Sequence, residues 1–221
     1  PLLATLPLSL LWLRLPSETV ARNQTAENKS TELPGMSYKQ ALRSGTYWGF
    51  NVALILSVSL TVGMVTNMVP MLQGTGLSAQ TAAQVFGTFG IAIIVGRLLV
   101  GYLLDRYSPS LVAAISLALP AVGCAIFLFS DGQNVPLLVL ATLTIGASAG
   151  AEFDLAAFLM ARYFGLKDYA RIFGLHLGLI TVVSGMVPML FGYLFELYDG
   201  YSAVLTSCLV FAIVGPSILL W

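Results

Sequence analysis

The chain has 221 residues, of which 57% are hydrophobic and only 9% charged, and its ten basic and ten acidic side chains cancel. A soluble domain carries about 25% charged residues, so a water-solvated globular core does not fit, and zero net charge gives no basic field for nucleic acid. The apolar residues are gathered into blocks long enough to read as membrane spans, which implies an integral, multi-pass membrane protein of the all-α class.

The opening PLLATLPLSLLWL, residues 1–13, is apolar-rich but too short to span, and no basic residues precede it as they would in a signal peptide. It reads as the end of a transmembrane helix that begins upstream. Residues 14–45 are polar, mixed in charge and punctuated by Pro16, Pro34 and Gly35. They predict a flexible cytoplasmic loop with a short amphipathic helix before the membrane. Six apolar blocks follow within 46–221, at about 46–72, 82–104, 109–130, 136–161, 170–195 and 201–221. At 1.5 Å per residue each is about 30 Å or longer, enough to cross the hydrocarbon core. Cys124 and Cys208 fall inside blocks, where a thiol is most simply a packing residue.

Lysine and arginine mark the cytoplasmic connections. All ten lie before the first complete span, around the second connection, or around the fourth; the connections at 73–80, 130–134 and 196–202 contain none. Six spans with both chain ends in the cytoplasm fit this pattern. A cytoplasmic 14–45 also makes the glycosylation patterns at Asn23 and Asn28 chance matches. An internal echo suggests a repeat: Phe86-Gly87 opens the second span, which ends GYLLDRY (101–107), and Phe173-Gly174 opens the fifth, which ends GYLFELY (192–198). Three-plus-three inverted repeats are a known plan for secondary transporters.

Arg97 lies within the second span, and intramembrane charges face a cavity or a partner. Eight residues separate it from Asp105, so its backbone sits roughly 12 Å inside that boundary. Gly101 lies between them at the same four-residue step and would let a neighbouring backbone approach. Candidate partners are Asp154, eight residues before Arg162 on the fourth span, and Glu152; two residues apart, these acids point roughly 200° from each other. Two readings follow. Arg97 forms an inner-face network with Asp105, Arg106 and Arg162 that latches one conformation, or it binds an anionic substrate while one of the acids carries a proton.

His176, the single histidine, is either a proton-coupling group or a packed, hydrogen-bonded side chain. Asn51 and Asn67 are polar groups that helix-breaking Pro70 could present to a cavity. Gly146 and Gly150 form a close-packing step, and Gly185, Pro188 and Gly192 interrupt the fifth span. No metal-ligand spacing, phosphate loop or nucleophile–base motif is present, so the sequence implies no enzyme centre, cofactor or ATP-driven transport.

With these residues in place a family can be named. Gly96-Arg97, Gly101 and Asp105-Arg106 form G-R-x-x-x-G-x-x-x-D-R, which resembles the loop signature of the major facilitator superfamily (MFS) in its C-terminal half. GAEFDLAAFLMARYFGLKDYARIFG (150–174) is similar to the tenth helix through the start of the eleventh in bacterial members, and VPMLFGYLFELYDGYSA (187–203) to the end of the eleventh. The resemblance implies that 1–13 is the tail of helix six, 14–45 the central loop, and 46–221 the six-helix C-terminal domain, half of a 12-helix fold. It implies a secondary transporter in a bacterial inner membrane, working by alternating access with an N-terminal six-helix half, and spans 46–72 and 136–161 nearest the cavity. The monocarboxylate and oxalate/formate branch is closest in flavour, implying a small organic anion with proton coupling. In that branch a helix-eight arginine contacts the carboxylate, and Arg97 matches it; the aspartate one turn earlier is Ile93 here, and 172–195 contains no lysine. The alternatives are a non-transporting half that serves as scaffold or assembly partner, and an exporter of another small molecule.

Overall fold

The computed structural model describes residues 34–130 and 132–220. The expected helix tail at 1–13, positions 14–33 of the expected loop and both glycosylation patterns lie outside them. Among the described residues there are seven helices: a short α1 (Tyr38–Arg43), then α2 (Gly45–Gly74), α3 (Ala79–Leu104), α4 (Pro109–Phe129), α5 (Val135–Phe164), α6 (Tyr169–Tyr198) and α7 (Ser202–Leu219). The last six are long and apolar enough to cross a membrane.

The six blocks read from sequence differ from these helices by at most three residues at any end. The three-residue differences are the N-terminus of α3 and the C-termini of α5 and α6. At the two C-termini the chain stays helical until a residue with positive φ stops it, Gly165 (φ 75°) after α5 and Asp199 (φ 49°) after α6. Helix starts are set by side-chain caps, Ser78 accepting from the Thr81 N–H and Asn134 from that of Leu137, and by proline in the first turn of α4 and α5. Pro70 and Pro188, read from sequence as interruptions, sit inside continuous helices. A broken span would expose unsatisfied backbone groups to lipid, whereas one missing N–H is tolerated.

The expected flexible loop is also corrected at its described end. Gly35 pairs with Gly165 as an antiparallel bridge, the Met36 N–H donates to Phe164 O at 2.8 Å, and that of Leu166 to Pro34 O at 3.0 Å. The Tyr38 N–H donates to the Asp168 carboxylate at 2.8 Å, and Ser37 and Gln40 form a capping box at the start of α1. Residues 34–38 are therefore stitched to the α5–α6 turn.

Helices α2–α4 and α5–α7 are two three-helix units whose first spans start from opposite ends of the bundle. Exchanging α2 with α5, α3 with α6 and α4 with α7 maps every major packing pair onto another: α3–α5 onto α6–α2, α4–α5 onto α7–α2, and α4–α7 onto itself. This is the packing of an inverted repeat. The core forms two clusters stacked along the bundle. One contains Tyr47, Leu54, Leu117, Leu155 and Leu159; the other contains Met64, Met68, Phe89, Leu138 and Phe191. Where the two meet, as α2 passes from Leu54 to Leu60 and α5 from Ile145 to Leu155, lie the buried polar residues Ser57, Ser59, Ser148 and Glu152.

Candidate functional site: a polar layer and a charged rim

The α3–α5 seam is built from small residues. A Cβ on Gly96 would strike the Ala147 backbone, one on Gly150 the Ile93 carbonyl, and one on Gly146 the Phe89 carbonyl and Ala92. The two backbones therefore touch, as small residues permit in membranes. Gly101 does not share this role: nothing in the described chain lies within 4 Å of its Cβ position, because the contact stripe of α3 runs through Ala92, Gly96 and Val100.

The close approach brings Arg97 Nε to 2.9 Å from Asp154 Oδ2 and 3.3 Å from Gly150 O, with both side chains about half exposed. The wider inner-face network is not assembled. Arg106 lies over the Tyr102 ring, 4.5 Å from its centroid, and among the described residues neither Asp105 nor Arg162 enters an ion pair. Eight residues of α3 separate Arg97 from Asp105, about 12 Å, beyond the reach of one ion pair. The pair that does form fastens α3 to α5.

Glu152 is turned away from Arg97. It is 2% exposed, and its Oε1 accepts hydrogen bonds from Ser57 Oγ (2.8 Å) and Thr61 Oγ1 (2.6 Å) on α2. Ser57 lies twelve residues from Gly45 at the start of α2, and Glu152 twelve from Phe164 at the end of α5. At 1.5 Å per residue both are about 18 Å in from the same end of the bundle, near the midplane of a 30 Å hydrocarbon layer. Sequence reading missed Ser57 and Thr61, and this matching depth was the signal that could have found them.

Glu152 lines a cavity of about 440 Å³ between α2, α3, α5 and α6, with Thr61, Thr181 and Ser184 as its hydroxyls and Phe89, Ile93, Phe153 and Ile180 among its apolar walls. Arg97 does not itself line this cavity; it is one turn beyond the lining residue Ile93 on the same face of α3. A larger cavity, about 710 Å³, lies between the ends of α2, α4, α5 and α7 and is lined by no charged residue.

His176 is fully buried, and its Nδ1 lies 2.8 Å from Asn51 Oδ1, while the Asn51 amide donates to Tyr47 O at 2.8 Å. With the amide spent on Tyr47, Asn51 can only accept from the ring, so Nδ1 carries the hydrogen. Nε2 has no hydrogen-bond partner among the described residues, and the rings of Phe50 and Phe173 stand 5.9 and 6.0 Å from the imidazole. Histidine and asparagine thus bridge α2 and α6 away from the cavity. Asn67 donates to Gly63 O and Thr66 Oγ1 on its own helix, and does not line the cavity.

Six apolar helices in an inverted repeat, with a polar layer at mid-depth, define a multi-pass membrane domain of the secondary-transporter type. The sequence model of the Major Facilitator Superfamily matches residues 52–221, and the chain belongs to that family. It is 30% identical over 151 residues to a gallate transporter of Pseudomonas putida, covering 62% of this chain and 33% of that protein. It is also 30% identical over 136 residues to a nitrate/nitrite transporter of Picosynechococcus sp., covering 55% of this chain and 25% of that protein. The alignments thus span a third or less of these relatives. Both are named as transporters, and neither as an enzyme.

Proposed function

We propose that this chain is the C-terminal half of a secondary transporter for a small organic anion, of monocarboxylate type, with proton coupling and alternating access about the midplane cavity. The observation that carries this reading is Arg97: a half-exposed guanidinium one helical turn beyond the lining residue Ile93, held through Nε by Asp154 and the Gly150 carbonyl. Anchoring through Nε orients the planar fork, the geometry that suits a carboxylate. Phe89 and Phe153 in the wall suit the apolar body of an organic acid better than bare nitrate, consistent with the similarity to a gallate transporter.

In the same reading an N-terminal six-helix half closes the cavity. The faces of α3 and α6 that it would meet expose Ile91, Val95, Leu98, Val182, Met186 and Met189. Apart from Arg97, the basic residues of the described chain gather at one end of the bundle, which the positive-inside rule places in the cytoplasm and, for a bacterial protein, at the inner membrane.

Uptake of labelled gallate by vesicles containing the full-length protein tests this. Arg97→Lys is expected to raise KM about tenfold or more, the effect of losing a bidentate carboxylate contact, and Asp154→Asn to change KM in the same assay by disturbing the arginine. If both variants keep the wild-type KM and lose only kcat, Arg97 is not the anion contact.

A further inference from the structure

We propose that Glu152, and neither Asp154 nor His176, carries the coupling cation, in an oxygen-lined site completed by Ser57, Thr61 and Ser148. This rests on the transport reading above and names the group that performs the coupling.

Glu152 combines three features found together at no other described ionisable residue: mid-depth position, near-complete burial and a place on the cavity wall. Its partners are the neutral hydroxyls of Ser57 and Thr61. The remaining lining residues are uncharged from every helix that packs there: Val58, Val62 and Val65 on α2, Phe89 and Ile93 on α3, Ala149 and Phe153 on α5, and Leu177, Ile180, Thr181 and Ser184 on α6. The nearest guanidinium, Arg97, is taken by Asp154, and the imidazole of α6 is turned to Asn51. A carboxylate in hydrocarbon with no cation beside it is costly and marks function.

A second observation is independent of Glu152. Ser148 Oγ is fully buried and has no hydrogen-bond partner among the described residues. It sits one turn before Glu152 on the same face of α5, since side chains at i and i+4 stand above one another. One carboxylate with its two hydroxyl partners, and a third, unspent hydroxyl one turn away, offer a hard oxygen donor set. Such a set takes a monovalent cation, either a proton on the carboxyl or Na⁺ among the oxygens.

The alternatives lack these features. Asp154 is half exposed and already neutralised by Arg97, so a cation there would compete with its partner. His176 has committed Nδ1 to Asn51, and Nε2 is enclosed away from the cavity. A cation on Glu152 would offset the charge of an anionic substrate entering the same cavity, so that the loaded site crosses as a neutral unit and the empty carboxylate is held by its hydroxyls.

The test uses the full-length protein in proteoliposomes with labelled gallate, measuring accumulation driven by an imposed pH or Na⁺ gradient and gallate–gallate exchange without a gradient. Glu152→Gln keeps the shape of the side chain and an oxygen to accept its hydrogen bonds, but it takes up no proton and has lost the charge that would hold Na⁺. It is expected to lose accumulation about tenfold or more while exchange persists, and the gradient that drives the wild type identifies the ion. Ser57→Ala with Thr61→Ala is expected to weaken the apparent cation affinity several-fold. Gradient-driven accumulation by Glu152→Gln at the wild-type level overturns the proposal. So does an Asp154→Asn variant that alone reproduces the loss of accumulation with retained exchange, and so does folded Glu152→Gln that has lost exchange as well, which would make Glu152 a substrate contact. If the wild type neither exchanges nor accumulates gallate, the transport reading fails first.

Discussion

The inverted repeat makes one seam twice, and the two copies are packed by different means. At α3–α5 the joint is backbone on backbone, made by Gly96, Gly146 and Gly150. At its counterpart, α2–α6, it is side chain on backbone: the Phe191 ring covers Gly63, and the His176–Asn51 hydrogen bond supplies the polar contact. The buried stripe of α3 is Ala82, Val85, Phe89, Ala92, Gly96 and Val100, and that of α6 is Ile172, His176, Ile180, Val187 and Phe191. Small residues let backbones meet with no room to adjust; large ones leave an interface that rotamers can rearrange. The stiff seam carries the Arg97–Asp154 pair, and the adjustable one flanks the Glu152 cavity.

Three stability measurements on the purified, detergent-solubilised protein would break or sharpen this contrast. The largest effect is expected for Gly150→Val, which drives a branched side chain into the Ile93 carbonyl and should cost about 2–3 kcal/mol as overpacking. A change below about 0.5 kcal/mol would show that α3–α5 can yield like its counterpart. Gly63→Ala should cost less, about 1 kcal/mol, because the obstacle is a ring; adding Phe191→Leu should recover most of it, a coupling readable in a double-mutant cycle. The smallest effects are expected at Gly101→Ala and Gly185→Ala, where nothing in the described chain lies within 4 Å. There the gain in helix propensity should leave stability unchanged or raised by up to about 1 kcal/mol. A loss at Gly101 would reveal a neighbour from elsewhere in the assembled protein.

The spans were legible because a bilayer demands about 20 apolar residues and leaves few alternatives. Their ends were less so: hydropathy fades before the helix does, and Gly165 and Asp199, which stop α5 and α6, carry a conformational signal and no hydropathy signal. Matching depth along two helices brought Asp154 into consideration as a partner of Arg97, and the same count would have reached Ser57 from Glu152. It was not made there, because a serine in an apolar helix looks like filler until its depth is compared with that of a charge. The choice of Gly101 over Gly96 as the close-approach residue was a matter of helical phase. One residue rotates a side chain by about 100°, and only the partner helix fixes which phase faces inward.

The bridge between Gly35 and Gly165 has a mechanical consequence. The chain entering the bundle is fastened to the turn that joins α5 to α6 before it reaches α2, through two backbone–backbone hydrogen bonds and a third to the Asp168 carboxylate. A pull transmitted along residues 1–33 would therefore load the second three-helix unit as well as the first. α6, the least buried of the six spans, would receive that load at its first turn, two turns ahead of His176.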